Sequence, residues 1–174
     1  RSRGLGDVYK RQVFNMIHSD LVSTGIDDFD KSIDMLRLGD SIVCQVGTIS
    51  DYKKFLTPFV NRAIEDGRNI VYFKFANKKP LFDDPSDDTI DSINNESIST
   101  DLTKIKIFQL DPNIGFNYFT LKISEIIKSE VKNTFYIFDN LTCLQRMWHS
   151  DSMIINFFSV ICSYLHDLNA VSCF

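Results

Sequence analysis

"GDSIVCQVGTISDYKKFLTPFV", residues 39–60, decides the fold. A Gly-Asp turn opens a short apolar run, "SIVCQ", which reads as a buried strand. A polar joint, "VGTISDYKKF" (46–55), leads into an apolar-periodic stretch, so residues 51–66 read as helix. Pro58 complicates that helix. Either Thr57 caps a new helix with Pro58 at its first position, or Pro58 kinks a longer one. Gly67 supplies the C-terminal stop. A buried strand running straight into a helix is the unit from which parallel α/β sheets are built.

The same alternation continues on both sides. "DDFDKSIDML" (27–36) places Phe29, Ile33 and Leu36 at helical spacing. "NIVYFKFA" (69–76) is a β-branched and aromatic strand, and "KIKIFQL" (104–110) alternates like one. A turn at "DPNI" leads to a helix from about Gly115, followed by an apolar strand, "NTFYIFDN" (133–140). "SDSMIINFFSVICSYLHDL" (150–168) is an apolar helix, and "AVSCF" a final strand. Together these predict one α/β domain with a mostly parallel sheet, whose sites lie at the carboxyl ends of the strands. Residues 46–55, 75–79 and 139–145 fall there.

Composition agrees with a globular domain. The 174 residues are 44 % hydrophobic, 13 % aromatic and 24 % charged, enough for one domain with a real core. A net charge of −4 argues against a nucleic-acid surface, which needs excess Lys and Arg. No apolar run approaches the roughly 20 residues that span a bilayer, so no membrane partner is expected. Cys44, Cys143, Cys162 and Cys173 form no CxxC or Cys/His ligand pair. They read as reduced thiols of a cytoplasmic protein.

Three segments stand apart. Residues 1–12, "RSRGLGDVYKRQ", are basic and aperiodic, resemble a sequencing-adaptor scar, and are set aside from the fold, leaving 13–174 as the domain. Residues 80–103 hold Asp83, Asp84, Asp87, Asp88, Asp91, Glu96 and Asp101 with no Lys or Arg. They read as a mobile, solvated surface loop without the spacing of a calcium-binding loop. The chain stops within its last strand-like run, which predicts a domain truncated at its C-terminus.

Chemistry is sought at the strand ends. A working phosphate loop reads GxxxxGK followed by Ser or Thr. Its glycines let backbone amides wrap the phosphates, its Lys reaches the β/γ-phosphates and its hydroxyl holds Mg²⁺. Aligned on Gly47, the second glycine is Tyr52, the lysine is Lys53 and the hydroxyl residue is Lys54. One glycine and the lysine are kept, and a Tyr where the backbone must approach closely obstructs a phosphate. The other reading is an ordinary strand-to-helix turn with a surface lysine. Asp139, ending "FYIFD", stands where a Walker B acid holds Mg²⁺ through water, or else simply begins a turn. "WHSDS" (148–152) offers Ser, His and Asp too close in sequence to converge as a triad. Trp148 reads as a packing anchor, His149 as exposed and Asp151 as a helix N-terminal residue.

These residues carry a resemblance. "STGIDDFDKSIDMLRLGDSIVCQV" is similar to the lead-in of RecA/KaiC-type ATPases. With "GRNIVYFKFA", "FYIFDNLTCL" and "MIINFFSVICSYLHDL" it resembles the N-terminal region of phosphoenolpyruvate synthase-like, pyruvate, phosphate dikinase-type proteins, over about residues 20–174. The resemblance implies a RecA-like three-layer fold. It also implies a catalytic Glu after the second strand, where Ala76, Asn77, Lys78 and Lys79 stand instead. With the second glycine and the hydroxyl also missing, it implies a non-catalytic regulatory or scaffolding module of an ATP-dependent phosphotransferase. Its expected partners are the parent's downstream domains and further copies packed side by side. The alternatives are a sensor that holds ATP or ADP with Mg²⁺ through Gly47, Lys53, Lys54 and Asp139 without hydrolysis, and an active KaiC-like ATPase.

Overall fold

A computed structural model describes residues 20–75 and 102–174. The scar-like residues 1–12, residues 76–79 and nearly all of the acidic stretch 80–103 lie outside the described residues.

The chain begins with a small antiparallel unit. Strands β1 (Leu21–Val22) and β2 (Leu36–Arg37) pair around helix α1 (Asp27–Ile33). The helix is shorter than its apolar spacing predicts, because Asp34 and Met35 take left-handed φ values of 59° and 65° and turn the chain into β2. Asp30 holds the unit together. Its buried carboxylate accepts hydrogen bonds from the Thr24 amide (2.8 Å), the Thr24 hydroxyl (2.7 Å) and the Ser23 hydroxyl (2.6 Å). Gly25, at φ 79°, lies so close to α2 that an added Cβ would sit 2.5 Å from the Pro58 carbonyl oxygen. Only glycine satisfies both the turn and the contact.

The main sheet has five strands: β3 (Ser41–Ile42), β4 (Asn69–Lys74), β5 (Ile105–Gln109), β6 (Thr134–Asp139) and β7 (Ser172–Cys173). Their order is β3-β7-β6-β4-β5, and every pairing is parallel. The helices are α2 (Ile49–Glu65), α3 (Phe116–Ser129), α4 (Leu141–Trp148) and α5 (Asp151–Asp167). From β3 to β5 the chain crosses the sheet one way, and from β5 to β7 it returns. Right-handed crossovers then require the returning helices to use the opposite face.

The core divides accordingly. Alternation along the strands turns Ile70, Tyr72, Phe135, Ile137, Val171 and Cys173 toward α2. Val71, Phe73, Phe75, Tyr136, Phe138 and Phe174 face α3, α4 and α5. The result is a three-layer α/β arrangement. On the second face Phe157 touches Phe75, Phe119, Phe138 and Trp148, with ring centroids 5.7–6.4 Å apart, which joins β4, β6 and all three helices. Trp148 is the expected anchor: it packs edge-on against Phe116 and Phe119, and its indole N–H donates to the Pro112 carbonyl at 3.1 Å.

Helix α2 resolves the question raised by Pro58. It is one helix that starts at Ile49, and its cap is Thr48 rather than Thr57. Thr48 Oγ1 accepts from the Asp51 amide at 3.2 Å and donates to Asp51 Oδ2 at 2.7 Å. Pro58 lies inside the helix. Gly67, at φ 78°, ends it as its sequence position predicts, donating its N–H to the Ile64 carbonyl at 3.0 Å.

Candidate functional site

The β3–α2 connection, residues 43–48, reaches the helix too early for a phosphate loop. With Gly47 as the first glycine, the helix begins only two residues later, at Ile49. Tyr52, Lys53 and Lys54 therefore lie within its opening turns, where each backbone amide belongs to the cap or to the helix. Tyr52 N–H, for one, donates to the Thr48 carbonyl at 3.3 Å. Gly47 is exposed, and an added Cβ would meet nothing within 4 Å. No close backbone approach calls for glycine there.

Tyr52 is the decisive side chain. It is 7 % exposed and points into the core between α2 and the sheet, its hydroxyl 3.8 Å from Cys173 Sγ. Burial raises its phenol far above the ordinary range, and the neighbouring Cys173, Tyr72 and Asp139 add to the shift. The hydroxyl is a neutral group in a packed wall.

Alternation along β6 puts Asp139 on this same α2 face, so strand geometry does bring it to the end of the sheet where α2 begins. It is already engaged there. The fully buried Tyr72 donates its hydroxyl to Asp139 Oδ2 at 2.5 Å, and Asn140 Nδ2 donates to Oδ1 at 3.1 Å. The Asp139–Asn140 peptide is cis. Asn140 in turn caps α4, accepting from the Cys143 amide at 2.8 Å.

The two lysines do not join this group. Lys54 pairs with Asp51 at 3.3 Å on the surface, and Lys53 is exposed with no ion pair among the described residues. The positive end of α2 is also taken. Asp51 sits in its first turn with its acidity strengthened by the Thr48 hydroxyl and by Lys54. A phosphate placed there would meet a carboxylate.

Among the described residues, the β3–α2 joint therefore offers magnesium and an adenine nucleotide no open cradle. The ring of Tyr52 takes the space, Asp51 holds the helix end and Asp139 is bonded to Tyr72. Among the described residues no group of three or more His, Cys, Asp or Glu side chains is placed to hold a metal ion. None of the described helices is long and apolar enough to cross a membrane.

Two clefts lie elsewhere. One of about 660 Å³ opens at the carboxyl ends of β4 and β5, beside Phe75, Asp111, Asn113, Cys143 and Met147. Its polar groups bond one another: Asp111 accepts from Asn113 N at 2.9 Å, and the Cys143 thiol donates to the Phe75 carbonyl at 3.1 Å. The second, about 600 Å³, lies over Ser23, Asp30 and Arg62, where Asp30 already serves the turn before α1. His149 is exposed at the C-terminal end of α4, and Ser150 caps α5, its hydroxyl accepting from the Met153 amide at 3.3 Å.

No local motif singles out Tyr72. Its signal is the alternation of "NIVYFK", which puts Tyr72 on the same face as Asp139, but only the parallel pairing of β4 with β6 brings the two together. No protein-family model matches the chain, and no curated protein matches it.

Proposed function

We propose that this chain is a RecA-like module that has lost its nucleotide chemistry and serves regulation or scaffolding within a phosphoenolpyruvate synthase-like protein. The observation that carries this reading is the burial of Tyr52 at the position of the second phosphate-loop glycine. The strand-to-helix joint at residues 43–49 and the acid at the end of β6 keep the layout of a nucleotide-binding sheet. The space between them is filled by side chains. Phosphoryl transfer depends on positioned charge, and here the lysines point to solvent while Asp139 is bonded to a tyrosine. The parallel three-layer arrangement supports the RecA-like assignment. The free cysteines suit the cytoplasm. The partners proposed are the parent's other domains and further copies of this module.

Calorimetry with ATP and ADP, with and without Mg²⁺, tests the reading. No binding heat is expected up to millimolar nucleotide. Micromolar binding that Lys53→Ala abolishes would overturn it in favour of a nucleotide sensor. Binding that Lys53→Ala leaves intact would overturn it in favour of a different nucleotide site.

A further inference from the structure

Cys44 and Cys173 face each other where β3 gives way to its loop. Their sulfurs are 3.8 Å apart, in side-chain contact between β7 and the residues just past β3, although the two cysteines are 129 residues apart in the chain. Both are free thiols. We propose that they form a redox-responsive pair, which an oxidant of the hydroperoxide class converts to an intramolecular disulfide tying the β3–α2 connection to β7.

The two positions differ in the ways such a pair requires. Cys173 is fully buried in β7, which is hydrogen-bonded on both sides, to β3 and to β6. Cys44 is half-buried, just past the β3 ladder, in a segment that belongs to no strand or helix. Its flanking residues Val43, Gln45 and Val46 are exposed. Closing the gap to a disulfide takes roughly 1.8 Å of sulfur movement. The Cys44 amide donates to the Phe174 carbonyl at 3.0 Å, so rotation of the Cys44 side chain supplies it while the two backbones stay paired. A hydroperoxide reaches Cys44 first.

The electrostatics assign the same roles. The thiol–thiol contact with Cys173 draws Cys44 below the ordinary thiol range, and that contact and burial hold Cys173 above it. The thiolate is the nucleophile. Cys44 sulfur attacks one oxygen of the hydroperoxide, the O–O bond breaks, and the other oxygen leaves as an alkoxide or hydroxide that takes up a proton. Cys44 is then a sulfenic acid. Cys173 sulfur attacks it, the S–S bond forms, the S–O bond breaks, and the hydroxide leaves as water with the Cys173 proton. Two thiols and one hydroperoxide give one disulfide, one alcohol or water, and one water. Tyr52, 3.8 Å from Cys173, reports the change at the opening turn of α2.

Buried cysteines usually act only as small hydrophobes, and the experiment separates the two roles. The full chain is treated with hydrogen peroxide under native conditions, then denatured, alkylated and peptide-mapped. Free thiols are expected to fall from four to two. The Cys44 and Cys173 peptides should be linked within a monomer, and dithiothreitol should reverse the link. Phenylarsine oxide, which bridges paired thiols, should protect the half-buried Cys44 from alkylation in the native chain, and not in Cys173→Ser. In Cys173→Ser, dimedone should trap Cys44 as a sulfenic acid. Survival of all four thiols, earlier loss of Cys143 or Cys162, or oxidation of Cys44 beyond the sulfenic acid without a link would each overturn the proposal. The mapping of the unsubstituted chain stands even if a variant fails to fold.

Discussion

Truncating Tyr52 to alanine removes an aromatic ring from the seam between α2 and the sheet. Large-to-small changes of this kind cost about 3–5 kcal/mol, whereas Tyr52→Phe keeps the ring and loses only a weak hydroxyl–thiol contact, worth less than about 1 kcal/mol. Urea midpoints of the two variants check this. Equal losses would mean that the hydroxyl, not the ring, holds the seam. Asp30 makes a pH prediction. Burial alone would raise its carboxyl, but the Ser23 and Thr24 hydrogen bonds and the Arg62 charge outweigh it and place it below the usual 3.8. The folded state then binds a proton less readily than the unfolded one. Its stabilisation is complete above that unfolded value and is lost as pH falls from there through the folded value. Asp30→Asn should cost about 1–3 kcal/mol at pH 7 and progressively less as pH falls below 3.8. The difference between their unfolding curves should shrink as pH falls below 3.8, and parallel curves would show that the charge is not what Ser23 and Thr24 hold.

Helix α2 runs through a residue that weakens it. Pro58 has no N–H for the Lys54 carbonyl, and proline inside a helix costs about 3 kcal/mol relative to alanine. Gly25 approaches the Pro58 carbonyl, not its ring, so Pro58→Ala keeps that contact. The variant is expected to be more stable by about 1–3 kcal/mol, with slower amide exchange in α2. Lower stability would mean that packing of the ring outweighs the missing bond. Long elements were legible from pattern: α2, α3, α5, β4, β5 and β6 lie where periodicity and alternation predict them. Helix α4 was not, because "LTCLQRMW" is short and its cap, Asn140, also reads as the turn after a strand end. The β1–β2 pair was hidden as well. Strands of two residues have no measurable alternation, and their pairing depends on Asp30 closing the turn between them.

Across the whole molecule, the return of the chain after β5 puts α2, with α1 packed beside it, on one sheet face and α3, α4 and α5 on the other, among the described residues. It also inserts β7 between β3 and β6, so that Cys173 stands between the strand before the Gly47 turn and the strand that ends in Asp139. That one placement gives Tyr52 a buried partner and Cys44 its thiol neighbour. The sequence by itself determined the α/β class, the parallel sheet, the stop at Gly67 and the departure from a phosphate-loop pattern at Tyr52 and Lys54. These follow from local rules: hydrophobic period, turn chemistry and the residue types that phosphate binding requires. Only the tertiary structure decided that Tyr52 points inward, that Tyr72 satisfies Asp139 and that Cys44 meets Cys173. Each of those contacts joins residues distant in the chain. Strand order and register set them, and no local pattern encodes either.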